Sequence, residues 1–138
     1  MGTNFAGNIA SSEAWKILRE NANSRLVDVR TKTELKFVGA ADLSAIGKSL
    51  ISIPLVNESG DANQNFMQEI EALNQPKDAP MVFICHVGGR SMQAAMLVGQ
   101  MGYSTYNFEN GFCGDANESG QRCKVNGWVA SELPWRQA

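Results

Sequence analysis

Cysteine is scarce and odd in number: three thiols in 138 residues do not make a disulfide framework for a chain this long, and at least one is expected to be free. Long apolar runs are missing as well. Met81 to Cys85 is an uninterrupted run of only five residues, where a membrane helix needs roughly 20, so no membrane partner is expected. Positive charge is not in excess either. Lys and Arg number 12 against 14 Asp and Glu, for a net charge of -2, which leaves no basic stripe for a phosphate backbone and removes nucleic acid from the expected partners. The start, "MGTNFAGNIASSEAWKIL", lacks a charged segment followed by an apolar block. No secretory signal is read there, and the expected location is the cytoplasm. Met1-Gly2 has the look of a lipidation start, but Ala6 stands where Ser or Thr is needed, so no anchor is expected. No metal or other cofactor is expected. A zinc set drawn from Cys85, His86, Cys113 and Cys123 has no recognised ligand spacing, and "DANESG" lacks the spaced acids and closing glutamate of a calcium loop.

What is present is enough for a core. At 43% hydrophobic content the chain reads as one globular domain over residues 1–138, with no internal repeat, low-complexity tract or long linker. "SSEAWKILRE" predicts a first helix, with Ser11 or Ser12 as cap, Glu13 at its positive end, and Ala14, Trp15 and Leu18 on one side. "RLVDVR" predicts a strand ending in charge at Asp28, "TKTELKFV" a short helix, and "LISIPL" a second strand stopped at Pro54. In "NFMQEIEALN", Phe66, Ile70 and Leu73 recur at helical spacing. "MVFI" is an apolar strand of the kind covered on both faces, "SMQAAMLVGQM" a helix ended by Gly102, and "STYNFE" a further strand. Strands alternating with helices imply a parallel sheet between two helical layers. Ligands of such sheets sit at the carboxyl ends of strands, where Asp28 and Cys85 are both expected.

The segment "CHVGGRS" is where chemistry is expected. A strand ending at Cys85 and a helix beginning near Arg90 leave a loop in which Gly88 and Gly89 supply unusual backbone angles. Its amides, from His86, Val87, Gly88, Gly89 and Arg90, can converge on the sulfur, and the positive end of the following helix adds to their field. Arg90 contributes a charge that is not lost near neutral pH. A lone cysteine closing a strand is ordinarily a buried apolar residue. The glycine pair, the arginine and the helix start turn the balance toward a nucleophile in an electropositive pocket.

"CHVGGRS" is similar to the active-site loop of single-domain rhodaneses, sulfurtransferases with a Cys-x-x-Gly-x-Arg-Ser pattern. The resemblance continues in "LVDVRTKTEL", which supplies Asp28, Arg30 and Glu34, in "ISIPL", in "MGY" and in "GW" followed by "LPW", and covers about residues 10–136. It implies an α/β fold, three layers around a central, mainly parallel five-stranded sheet. It also implies that Cys85 takes the outer sulfur of a donor such as thiosulfate or another persulfide, holds it as a persulfide, and passes it to a thiol, cyanide or protein acceptor. Cys85 and Arg90 are the expected catalytic pair; His86, Val87, Gly88, Gly89 and Ser91 form the binding loop; Asp28, Arg30, Glu34 and Arg90 are expected to make one bracing ion-pair set. Cysteine phosphatases and arsenate reductases on this fold need a loop one residue longer to grip phosphate oxygens, and here four residues separate Cys85 from Arg90. A non-catalytic, partner-binding rhodanese module is the alternative from another class, against which the intact cysteine argues. His86 stands where many thiosulfate users carry a basic residue; a proton-donor role and a merely solvated one are both open.

Cys113 and Cys123 fall in a glycine-rich insertion, "NGFCGDANESGQRCKVNGW". Two free thiols are the favoured reading; a disulfide, or a thiol that takes sulfur from Cys85 or resolves it, are the others. Trp128, Leu133 and Trp135 are expected to pack over the sheet.

Overall fold

The computed structural model describes residues 4–137; Met1-Gly2, with the lipidation reading, lies outside them. Five strands form one parallel sheet: β1 (Phe5–Ile9), β2 (Arg25–Asp28), β4 (Ile51–Ser52), β5 (Met81–Ile84) and β6 (Thr105–Phe108), in the order β1-β6-β5-β2-β4. The helices are α1 (Ser11–Glu20), α2 (Lys32–Val38), α3 (Phe66–Glu71), α4 (Gly89–Gly99) and α5 (Gly127–Ala130). A second, two-stranded antiparallel sheet pairs β3 (Ala40–Ala41) with β7 (Trp135–Arg136).

The period of two in the strands divides the core. Alternate residues of the central strands, Val27, Met81, Phe83 and Cys85, face α3 and α4 through Phe66, Ile70, Ala94, Ala95 and Val98. The intervening residues, Leu26, Val82 and Ile84, face α1 and α5 through Ala14, Leu18 and Trp128. All four residues of β5 are completely buried, as a strand covered on both faces must be. The expected three-layer α/β fold with a central parallel five-stranded sheet is therefore the fold of the chain.

Several local readings change. The fifth strand is β1, whose "FAGNI" carries no β-rich run; it is an edge strand with a register irregularity between Phe5 and Asn8, where Gly7 has φ of 107°. Neither Ser11 nor Ser12 caps α1: both lie inside the first turn, and Ala10 occupies the cap without a side-chain bond. The next helix is the well-capped one. Thr31 and Glu34 of α2 form a reciprocal capping box. Of the C-terminal apolar residues, Trp128 is fully buried and its indole N–H donates to the Pro134 carbonyl at 2.7 Å. Trp135 is 43% exposed. It does not cover the main sheet, because β7 turns aside to pair with β3.

Candidate active site

Cys85 follows β5 directly, at the carboxyl edge of the sheet. Its sulfur accepts from the Gly88 amide at 3.1 Å and lies 3.2 Å from the Ser91 hydroxyl. The backbone makes this possible at Gly88, which has φ of 117° and caps α4, a conformation that an L side chain rarely adopts. The helix then brings Ser91 back over the sulfur one turn on. Val87 and Gly89 are exposed on the loop's outer side, His86 and Arg90 are half-buried, and Ser91 is buried. The cysteine is only 1% exposed. One side of it is apolar core and the other is these two polar groups.

Ser91 is itself held. Its hydroxyl lies 3.2 Å from the Gly88 carbonyl and is hydrogen-bonded to Oδ1 of Asn107, whose amide donates to Asn8 Oδ1 at 2.9 Å. Asn107 was not among the sequence candidates. The signal that exposes it is a polar side chain at an inward position of "TYNF", which a buried strand tolerates only with partners.

The charged residues split into two pairs where one set was expected. Arg30 and Asp28 form an ion pair at 2.8 Å with both side chains fully buried, Arg30 also donating to the Gly39 carbonyl at 2.8 Å and lying 4.4 Å from the Phe112 ring. Arg90 instead grips Glu34 with both terminal nitrogens, at 2.6 and 2.8 Å. That bidentate bond first, and then hydrogen bonds from Thr31, hold the Glu34 carboxyl down to about 2 against the opposing effect of burial. Arg90 is raised above its ordinary value, mainly by Glu34 and to a smaller degree by negative charge on Cys85 and Asp28. Its guanidinium therefore ties α4 to α2 and reaches the sulfur only through its field. His86 is pushed down from its ordinary value, chiefly by burial and then by the Arg30 charge, so the imidazole is neutral at pH 7 and poorly suited to donate a proton.

Behind the loop runs residues 111–114. Phe112 N–H donates to the Cys85 carbonyl at 2.7 Å, and the amides of Cys113 and Gly114 both donate to the His86 carbonyl, at 3.0 and 3.2 Å. Gly111, at φ of 65°, must be glycine: a Cβ there would stand 2.5 Å from the His86 oxygen and 2.6 Å from that of Cys85. Cys113 and Cys123 are joined by a disulfide, which overturns the reading of two free thiols; Cys85 is free. The spacing left both states open, and the fold decides between them by turning the insertion back on itself. Among the described residues, no group of three His, Cys, Asp or Glu side chains is placed to hold a metal ion.

The parallel five-stranded sheet with a cysteine loop at its carboxyl edge is a rhodanese-like fold, shared with a rhodanese-related protein of Thermoplasma volcanium at a TM-score of 0.62 and 20% identity, over 95% of this chain and 98% of that one. Residues 6–138 match the STR4 middle domain family, and the chain belongs to that family. It is 34% identical over 132 residues to the uncharacterized protein RP600 of Rickettsia prowazekii, covering 94% of this chain and 96% of that one. The crystal structure of Rv0390 from M. tuberculosis superimposes with a TM-score of 0.88 at 37% identity, over 97% of this chain and 99% of that one. The polysulfide-sulfur transferase homodimer of Wolinella succinogenes shares the fold at a TM-score of 0.66 and 21% identity, over 95% of this chain and 78% of that one.

Proposed function

We propose that the protein is a sulfurtransferase of the single-domain rhodanese type, moving sulfane sulfur on Cys85. The observation that carries this reading is the setting of one sulfur, which accepts from the Gly88 amide at 3.1 Å and lies 3.2 Å from the Ser91 hydroxyl, since a sulfur that accepts one hydrogen bond and can draw a second is suited to bear negative charge. In the first half-reaction the Cys85 thiolate attacks the outer sulfur of thiosulfate or a polysulfide; the sulfur–sulfur bond of the donor breaks and sulfite or a shortened polysulfide leaves with the electron pair. In the second, a thiol, cyanide or protein acceptor attacks the terminal sulfur and the Cys85 thiolate leaves. No cofactor takes part. Because Cys85 is 1% exposed, each half-reaction needs the 86–90 loop to move outward, and Val87 and Gly89, the exposed residues of that loop, have the least packing to give up.

The same burial favours a second reading, a non-catalytic module in which Cys85 only packs. Thiocyanate formation from cyanide with thiosulfate or a polysulfide as donor separates them. Transfer with ping-pong kinetics, abolished by Cys85→Ser, is the expected result. Absence of turnover with both donors would leave the binding module, and phosphate release from an aryl phosphate would revive the phosphatase reading.

A further inference from the structure

The disulfide joins two unequal environments. Cys113 is 1% exposed and packs with Phe108, Phe112 and Trp128. Cys123 is half-buried, on the outer arm of the insertion, with φ of 68° in the left-handed region. A side chain other than glycine rarely adopts such a conformation, so Cys123 stays there only because its surroundings hold it. Beside its packing against the core around Trp128, the Cys123 amide donates to the Cys113 carbonyl at 2.9 Å, and the neighbouring Arg122 guanidinium to the Gly114 carbonyl at 2.7 Å. The remainder of the insertion, residues 115–122, is a largely exposed turn closed mainly on itself through Asn117.

The inner arm is a different matter. The amides of Phe112, Cys113 and Gly114 hold the carbonyls of Cys85 and His86, the two residues that open the cysteine loop. The disulfide thus fastens the outer arm to the strip of backbone that fixes the root of that loop, over a cysteine that is almost completely covered.

We infer that Cys113–Cys123 is a thiol–disulfide exchange site for a cellular dithiol, and that its reduction frees the Cys85 loop to open. An incoming thiolate attacks the more accessible Cys123 sulfur, the bond to Cys113 breaks, and Cys113 leaves as a thiolate that takes up a proton. The second thiol of the dithiol attacks the mixed disulfide and releases Cys123, so two electrons pass from the dithiol to the pair. With the tie gone, Cys123 relaxes from the left-handed region and the 112–114 strip exchanges its bonds to the Cys85 and His86 carbonyls more often. Where dithiols keep thiols reduced, a bond of this kind is transient and its state follows the dithiol supply. The meaning of this control, though not the exchange chemistry, rests on the sulfur-transfer reading.

The test compares the whole protein, kept in air until its count of reactive thiols is constant, with a portion treated with dithiothreitol and desalted without air. Both are reacted with N-ethylmaleimide, and the label is followed by mass on the peptides holding residues 85, 113 and 123. Without reductant, only Cys85 takes label, slowly; after reduction, Cys113 and Cys123 also react and Cys85 is labelled about tenfold faster, the effect of a looser local opening equilibrium. The C113S/C123S double variant shows the fast Cys85 rate with or without reductant. Should that variant fail to fold, the two portions of unmodified protein decide alone. The inference is overturned if Cys113 and Cys123 react without reductant, or if Cys85 is labelled equally fast in both states. If labelling changes as expected but a polysulfide never adds sulfur to Cys85 in either state, the exchange site stands and the sulfur-transfer reading falls.

Discussion

Ser91 has one proton and three acceptors around it: the Cys85 sulfur, the Gly88 carbonyl and Asn107 Oδ1. With a neutral thiol the count closes, because the S–H donates to Ser91 and Ser91 to Asn107. An anionic sulfur turns the Ser91 proton toward itself. Ser91→Ala is therefore expected to slow persulfide formation by about tenfold, the worth of one hydrogen bond to a charged group, while costing only ~1 kcal/mol of stability; single-turnover mass spectrometry and urea unfolding measure the two. Asp28 belongs to the opposite kind of residue. Asp28→Asn leaves Arg30 charged and fully buried without its counter-ion, an expected loss of about 3–5 kcal/mol in denaturant unfolding. At this scale the sequence identifies residues that belong to a contiguous pattern, Cys85 to Ser91, and misses those whose role depends on distant strands. Asn8 and Asn107 are 99 positions apart and meet only because β1 lies beside β6.

An ion pair, Glu34 with Arg90, joins α2 to α4. An arginine in the first turn of α4 sits at the wrong end of the helix dipole, and the glutamate offsets it. Since the folded value of Glu34, about 2, lies below its ordinary 4.5, the pair's contribution is complete above about pH 4.5 and is lost as pH falls toward 2. Glu34→Gln should lower stability at pH 7 by roughly 1–2 kcal/mol and flatten the acid limb of the stability curve over that interval; unfolding midpoints measured between pH 2 and 7 show whether it does. Elements with a strong period were legible: α1, α3, β5 and α4 lie where their apolar spacing places them. The edge strand β4 lies within the predicted "LISIPL", but β1 and β7 were not legible. β1 is an irregular edge strand held by its pairing with β6, and Trp135 is drawn outward by pairing of β7 with β3, which the hydropathy of "LPWRQ" does not encode. The capping box of α2 follows a Thr-x-x-Glu pattern in "TKTE" that was not read from the sequence, and its further use as an anchor for Arg90 has no local signal.

For the molecule as a whole, β5 joins core and site. Phe83 fills the α3–α4 side of the sheet two residues before Cys85, so Phe83→Ala is expected to cost about 3–5 kcal/mol in guanidinium unfolding and to loosen the cysteine loop with it. The layered α/β plan followed from alternating periods in the sequence, whereas the near-complete covering of Cys85 depended on how both layers close over the sheet edge and had no local signature. That covering makes one experiment the most direct. The native protein is incubated with a polysulfide, and its intact mass is recorded beside that of Cys85→Ser, before and after reductant. A single added sulfur, absent from the variant and removed by the reductant, is the predicted result; a Cys85 that gains no sulfur while the protein stays folded would contradict the account.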